Sequence, residues 1–404
     1  MVPSNAVAVG LRPVVPPTSV AEAGAHEINS STRIPALDGL RGIAILLVLI
    51  AHSFLDIHFS HHPGLNWLVR MSRLSWSGVD LFFVLSGFLI GGILLDARTS
   101  PSYFRTFYIR RAYRILPLYA LVLAFAWLIF QAGRLGWLRG GWAELFSGPI
   151  PWWTFLTFTQ NISMALAGRF AGRGGLSPTW SLAVEEQFYL TLPLVILYAS
   201  KRRLVQIILG FIVGAAVLRV LVIVFFPGRI FATYALMPCR ADALGLGVLA
   251  ALAARERRTW SFLREHRAWL YGGAGILLAI LLVIDLSSSE PFSGTLYGVE
   301  YSVLATFYAS LLLIAITGTD SLVRIVFCNR VLMRLGLIAY GTYLFHRFTL
   351  RVCHLWLGSP RTSHATEFLA ASIFLGLGGA ILAAQLSWTW FEKPLVRRGH
   401  RYGY

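Results

Sequence analysis

About ten stretches of this sequence stay apolar for close to the roughly 20 residues that a helix needs to cross a bilayer, and this limits the fold more than any other feature. They lie near 37–57, 77–95, 113–131, 180–198, 204–226, 236–254, 268–286, 297–317, 333–357 and 366–390. Hydrocarbon offers no water to backbone N–H and C=O groups, so such stretches satisfy them internally as helices. The expected fold class is therefore an all-α, polytopic integral membrane protein with about ten transmembrane helices. Composition agrees, since 56% of the 404 residues are hydrophobic and 13% are charged, against about 25% charged in a typical soluble protein. A net charge of +17 would point to nucleic acid in a soluble domain. Here the arginines sit between apolar runs and read as topology and contact with membrane lipid headgroups, so no nucleic-acid partner is expected.

With the N-terminus inside, the inner loops at 96–111, 201–203, 255–267 and 320–334 and the tail after 391 carry more than twice the Lys and Arg of the outer loops. Positive charge accumulates on the cytoplasmic side, which predicts both termini to be cytoplasmic. Residues 1–33 hold four prolines and no long apolar run, and read as a disordered cytoplasmic tail. Residues 34–398 form one transmembrane domain and 399–404 a second cytoplasmic tail. The longest connection, 132–179, contains an aromatic, amphipathic segment at 152–165 that is too short to span, and predicts an interfacial or re-entrant element on the outer face. Cys239, Cys328 and Cys353 are far apart and form no metal-ligand pair, so neither a metal nor a disulfide is expected.

Within the first stretch, nine apolar residues from Ile43 to Ala51 end on His52. Ionisable side chains are costly inside a bilayer and usually functional there. Arg41 lies eleven residues earlier, within about 20° of His52 around the helix and about 16 Å away along it. A cation near one surface and an imidazole at depth on one stripe suit a long anionic molecule whose reactive end reaches the histidine. A packing histidine and a snorkelling arginine are the plainer readings. In the second stretch, Gly87 and Gly91 allow close helix packing, whereas Ser86 either bonds a carbonyl one turn back or orients a substrate. Arg110 and Arg114, four residues apart with Arg111 beside them, serve positive-inside topology and also suit phosphate. Glu185 and Glu186 lie about two turns into the fourth stretch and point about 100° apart, so at least one faces the interior, as a structural ion-pair member or as a partner for His52. Arg240 and Asp242 begin the sixth stretch, where they pair with one another or line an acceptor site. Tyr340 and His346 read as mainly structural, and the charged 391–398 as a stop signal.

The ordered series LDGLRGIAILLVLIAHSF, GVDLFFVLSGFLI, RRAYRILPLY, PTWSLAVEEQFY, RADALGLG, GTYLFH and FEKPLVRR resembles the membrane acyltransferase-3 family of bacterial O-acyltransferases. The resemblance covers about 34–398. The family's basic residue, ten-residue spacing and histidine match Arg41 and His52. Its Ser-Gly-Phe motif matches Ser86 to Phe88, its arginine motif Arg110 and Arg114, and its Glu-Glu-Gln-Phe-Tyr motif Glu185 to Tyr189. Some members carry an additional SGNH-type esterase domain, which the 404 residues do not include.

The resemblance implies transfer of an acyl group, most often acetyl from acetyl-CoA, to a hydroxyl of a sugar, glycan, lipid-linked saccharide or secreted metabolite, in the bacterial inner membrane. Acyl-CoA and a hydroxyl acceptor are thus the expected partners. Arg41, Arg110 and Arg114 would hold the CoA phosphates, with Ser86 helping to orient the donor. His52 would act as general base, oriented by Glu185 or Glu186 as a triad acid orients its histidine. A different class is a proton-coupled transporter, for which intramembrane Arg, His and Glu are also typical.

Overall fold

The computed structural model describes residues 34–54, 72–170, 174–287, 297–318, 320–357 and 370–404. The disordered tail expected at 1–33 lies outside them. The described residues form a helical bundle. Its principal helices are α1 (Pro35–Phe54), α2 (Gly78–Asp96), α3 (Tyr103–Arg134), α4 (Thr179–Tyr198), α5 (Lys201–Phe225), α6 (Ala241–Ala253), α7 (Arg267–Ser287), α8 (Tyr297–Thr317), α9 (Arg330–Leu337), α10 (Ala339–Leu357), α11 (Gly378–Ser387) and α12 (Lys393–Gly399). Single π-helical turns at Ser372–Leu377 and Trp388–Glu392 flank α11.

Among the described residues, seven segments are long and apolar enough to cross a membrane, including Pro35–Ser53, Arg73–Asp96, Tyr103–Arg134 and Phe374–Gly399. Pro227–Ala235 and Met237–Ala253, bent by 68°, make an eighth if counted together. The other two of the ten expected stretches are helical but more polar. The 180–198 stretch is helical as α4, but Glu185, Glu186 and Gln187 dilute its hydropathy. The 333–357 stretch breaks at Ile338 between α9 and α10, and α10 carries His346, Arg347, Arg351 and His354. Both α4 and α10 line the interior site described below. Helix α3 begins ten residues before the expected 113, so Arg105, Arg110 and Arg111 are helical rather than in a loop.

Burial separates core from lipid-facing helices. In α1 and the segment containing α2, 67% and 78% of the most apolar window is buried, against 17% in α5 and 11% in α7. Backbone contacts pin this centre. A Cβ on Gly87 of α2 would sit 2.0 Å from the Leu244 carbonyl oxygen, and one on Gly247 of α6 would sit 2.1 Å from that of Val84. Likewise Gly42 of α1 lies against the Leu332 carbonyl and Gly336 of α9 against that of Asp38. Only hydrogen fits at these crossings, the small-residue packing on which membrane helices rely.

Two ion pairs cross the buried interior. Arg240 bonds Asp80 of α2, and Asp242 takes Arg219 of α5 at 2.7 Å. Arg240 and Asp242 therefore do not pair with each other, as their spacing had allowed; each ties α6 or its start to a different helix. Arg219 is completely buried and also donates to Ser302 of α8 at 2.6 Å.

The 152–165 segment forms two short helices, Trp152–Leu156 and Gln160–Ala167. They are docked on α4 by Gln187, whose amide donates to the Phe158 carbonyl at 2.8 Å and to Asn161 Oδ1 at 2.9 Å. Phe158 has a positive φ of 53°, which an aromatic residue adopts only when its surroundings hold it. Its ring stacks on Tyr119 at 4.9 Å.

Candidate active site

A cavity of about 310 Å³ opens between α1, α2, α3, α4 and α10. Its wall carries Arg41, Arg111 and Arg114 at one end, Ser86, Glu185 and Tyr189 in the middle, and Ser181 and Tyr343 beyond them. A smaller cavity of about 50 Å³ shares Arg111, Arg114 and His400 and adds Arg110 and Tyr404. The two together make an arginine-lined passage from the C-terminal segment into the bundle.

The cation cluster is a consequence of helix geometry. Arg111 and Arg114 are three apart on α3 and share a face, and Arg41 approaches from α1 close enough to repel both. Arg41 is bonded to Asp38 at 3.1 Å, which offsets one charge. Arg110, one position round, points to the mouth, donating to the Tyr402 carbonyl at 2.8 Å and lying 4.8 Å from the Tyr404 ring centre. At this mouth, partial burial and then the surrounding Arg110, Arg114 and Arg111 hold the His400 imidazole below its ordinary value, leaving it neutral at pH 7.

Ser86 does not bond back along its own helix. Its hydroxyl meets that of Tyr189 at 2.5 Å, and both face Glu185. Glu186 does not line the cavity, and its Oε1 is buried without a hydrogen-bond partner among the described residues. Tyr343 closes the far end of the wall, donating to the Pro178 carbonyl at 2.8 Å and meeting the Ser181 hydroxyl at 2.6 Å.

His52 lies past that wall. Its Nδ1 is 2.9 Å from the Val48 carbonyl. A carbonyl only accepts, so Nδ1 carries the proton and Nε2 keeps its lone pair. The ring packs edge-on against His346, centroids 4.8 Å apart, and His346 lies 5.6 Å from Tyr343. The structure thus brings Arg41, Arg114, Ser86 and Glu185 to one cavity, puts Arg110 at its mouth and Glu186 outside it, and gives His52 an imidazole neighbour rather than a carboxylate. Sequence reasoning named Arg111 only as a neighbour of Arg110 and Arg114, and passed over Tyr189, Tyr343 and His400 as site members. The three-residue spacing of Arg111 from Arg114 was the available signal for the first; the others are gathered only by the fold.

The architecture is that of a multi-pass membrane protein with a charged interior site. Comparison with known proteins defines the family: the acyltransferase domain family matches residues 34–388, and the chain belongs to this family, acyltransferase-3. Among curated relatives it is similar to the peptidoglycan O-acetyltransferase OatA of Listeria monocytogenes, 28% identical over 91% of this chain and 56% of the relative. A protein of Bacillus subtilis named as a candidate peptidoglycan O-acetyltransferase is 27% identical over 93% of this chain and 57% of its own length. The chain thus spans a little over half the length of these relatives. No solved structure matches it. Nothing in the comparisons favours a transporter.

Proposed function

We propose that the protein is a membrane O-acyltransferase that moves an acetyl group from acetyl-CoA to a hydroxyl of a cell-envelope carbohydrate, in the bacterial inner membrane. Membership of the family supports the reaction class, and the relatives named as peptidoglycan O-acetyltransferases support a glycan acceptor. The observation that supports the donor is the cavity lined by Arg41, Arg111 and Arg114, with Tyr343 also in its wall and His346 and then His52 packed behind Tyr343.

The residues present fit such a donor. Three guanidiniums converge, with Arg110 at the mouth, where phosphates would be met by charge-assisted bonds. The narrower apolar walls from Phe82, Leu85 and Leu89 suit an uncharged arm. The donor supplies an activated acyl carbon as a thioester. His52, with its Nε2 lone pair free, takes the proton of the attacking hydroxyl; the new C–O bond forms as the C–S bond breaks, and the proton passes to the departing sulfur. Ser86, Tyr189 and Glu185 orient what lies in the middle of the passage.

The test is turnover of acetyl-CoA by the purified protein with chito-oligosaccharide as acceptor and no membrane gradient. His52→Ala is expected to lower kcat by about 10²–10⁴-fold, the usual worth of general-base catalysis, with donor binding retained. Arg114→Ala is expected to raise KM for acetyl-CoA by about tenfold or more, as loss of a charge-assisted contact implies. Normal transfer by His52→Ala would remove the general-base assignment; no turnover by wild type would remove the donor.

A further inference from the structure

We propose that His346 is the positioning residue of the transfer centre, fixing the orientation in which the His52 ring receives and releases a proton. The inference rests on the assignment of His52 as base and goes beyond it by replacing the expected glutamate partner with a second imidazole.

Three observations converge. His346 is completely buried, and its Nδ1 is anchored 2.7 Å from the Tyr343 carbonyl, so its ring orientation is set by α10 itself. The carbonyl again assigns the proton to Nδ1, which makes Nε2 a bare acceptor, and that nitrogen is buried with no hydrogen-bond partner among the described residues. Native interiors rarely leave such an atom unmet. Finally, the ring meets His52 at 4.8 Å with an interplanar angle of 69°, the edge-to-face packing by which flat rings fix one another's orientation.

These facts give a division of labour. His346 gains and loses no proton. When Nε2 of His52 takes the proton of the attacking hydroxyl, the His346 ring packed edge-on against it keeps the imidazole in the same orientation; when the proton leaves with sulfur, both rings return to the neutral state. Glu185 is at the cavity wall with Ser86 and Tyr189 and is engaged there.

The experiment compares wild type, His346→Ala, His346→Gln and His52→Gln with acetyl-CoA and chito-oligosaccharide. His346→Ala is expected to lower kcat at least tenfold with KM for acetyl-CoA within twofold, and His346→Gln, which keeps an acceptor at about the same place, to recover part of the loss. The His52 ring signals in ¹⁵N-histidine NMR, assigned by their absence in His52→Gln, are expected as one sharp set in wild type and as shifted or averaged signals in His346→Ala. Unchanged His52 signals in both His346 variants would overturn the proposal, as would a loss confined to KM. A wild type that leaves acetyl-CoA intact while His346→Ala disturbs the His52 ring would overturn the donor assignment and keep the imidazole pair.

Discussion

At the scale of single residues, charge is what this interior has to manage. Buried ions cost several kcal/mol unless they are paired, and the molecule uses two solutions. Where it needs rigidity, opposite charges are matched across helices, as in Arg240 with Asp80 and Arg219 with Asp242. Around the passage it gathers like charges instead. Arg41, Arg111 and Arg114 repel one another, which is unfavourable until an anion arrives. His400 reports on this directly. Its imidazole is held low by burial and by three arginines, so an anion that neutralises the cluster lets the imidazole return toward its ordinary value near 6.5. Binding then takes up a proton, and affinity rises as pH falls through that range. Calorimetry of CoA binding between about pH 7.5 and pH 6 is expected to show a proton-coupled gain in wild type that His400→Ala lacks; identical pH dependence in both would separate His400 from the anion site.

At the scale of helices, small residues decide which elements touch. Gly87 and Gly247 put α2 and α6 in backbone contact, whereas a Cβ on Gly210 or Gly214 of α5 would meet nothing within 4 Å, so these two face open space. The same substitution should therefore act in opposite ways. Gly87→Ala has to push two backbones apart and is expected to destabilise by about 1–3 kcal/mol or more, seen as a lower Tm in detergent. Gly210→Ala is expected to be neutral or to stabilise by up to about 1 kcal/mol, the difference in helix propensity. Equal effects at the two sites would contradict the packing described. The glycine spacing of α2 was legible in the sequence as a packing face, but its partner was not, because a run such as Ala241–Ala253 advertises small residues without saying which helix they meet.

At the scale of the whole molecule, α3 measures about 48 Å at 1.5 Å per residue, enough to place its two ends on opposite sides of a bilayer. Its first turns meet the C-terminal segment, through Arg110 and Tyr402, and lie near Arg41 in the first two turns of α1. We expect this end to be cytoplasmic. In a protein lacking the three native cysteines, a membrane-impermeant maleimide should label Trp137→Cys in intact spheroplasts, and Arg105→Cys and Arg401→Cys only after permeabilisation. Labelling of 137 and 401 from one side would overturn the orientation.

Apolar length alone determined that the chain is a helical membrane protein, since the bilayer leaves a backbone few other ways to satisfy its polar groups. Local spacing likewise carried Arg41 and His52 on one unbroken helix, and Arg110 and Arg114 near one another, because positions on a single helix follow from its period. The stretches at α4 and α10 are helical as expected but more polar than the seven apolar segments, because helices that face a charged interior are less hydrophobic than those that face lipid. What the sequence could not determine was pairing between helices. Only the tertiary structure put Glu185 in the cavity wall and Glu186 outside it, crossed Arg240 with Asp80, and set His346 against His52, because each of these contacts joins residues far apart in the chain whose meeting depends on how the whole bundle packs.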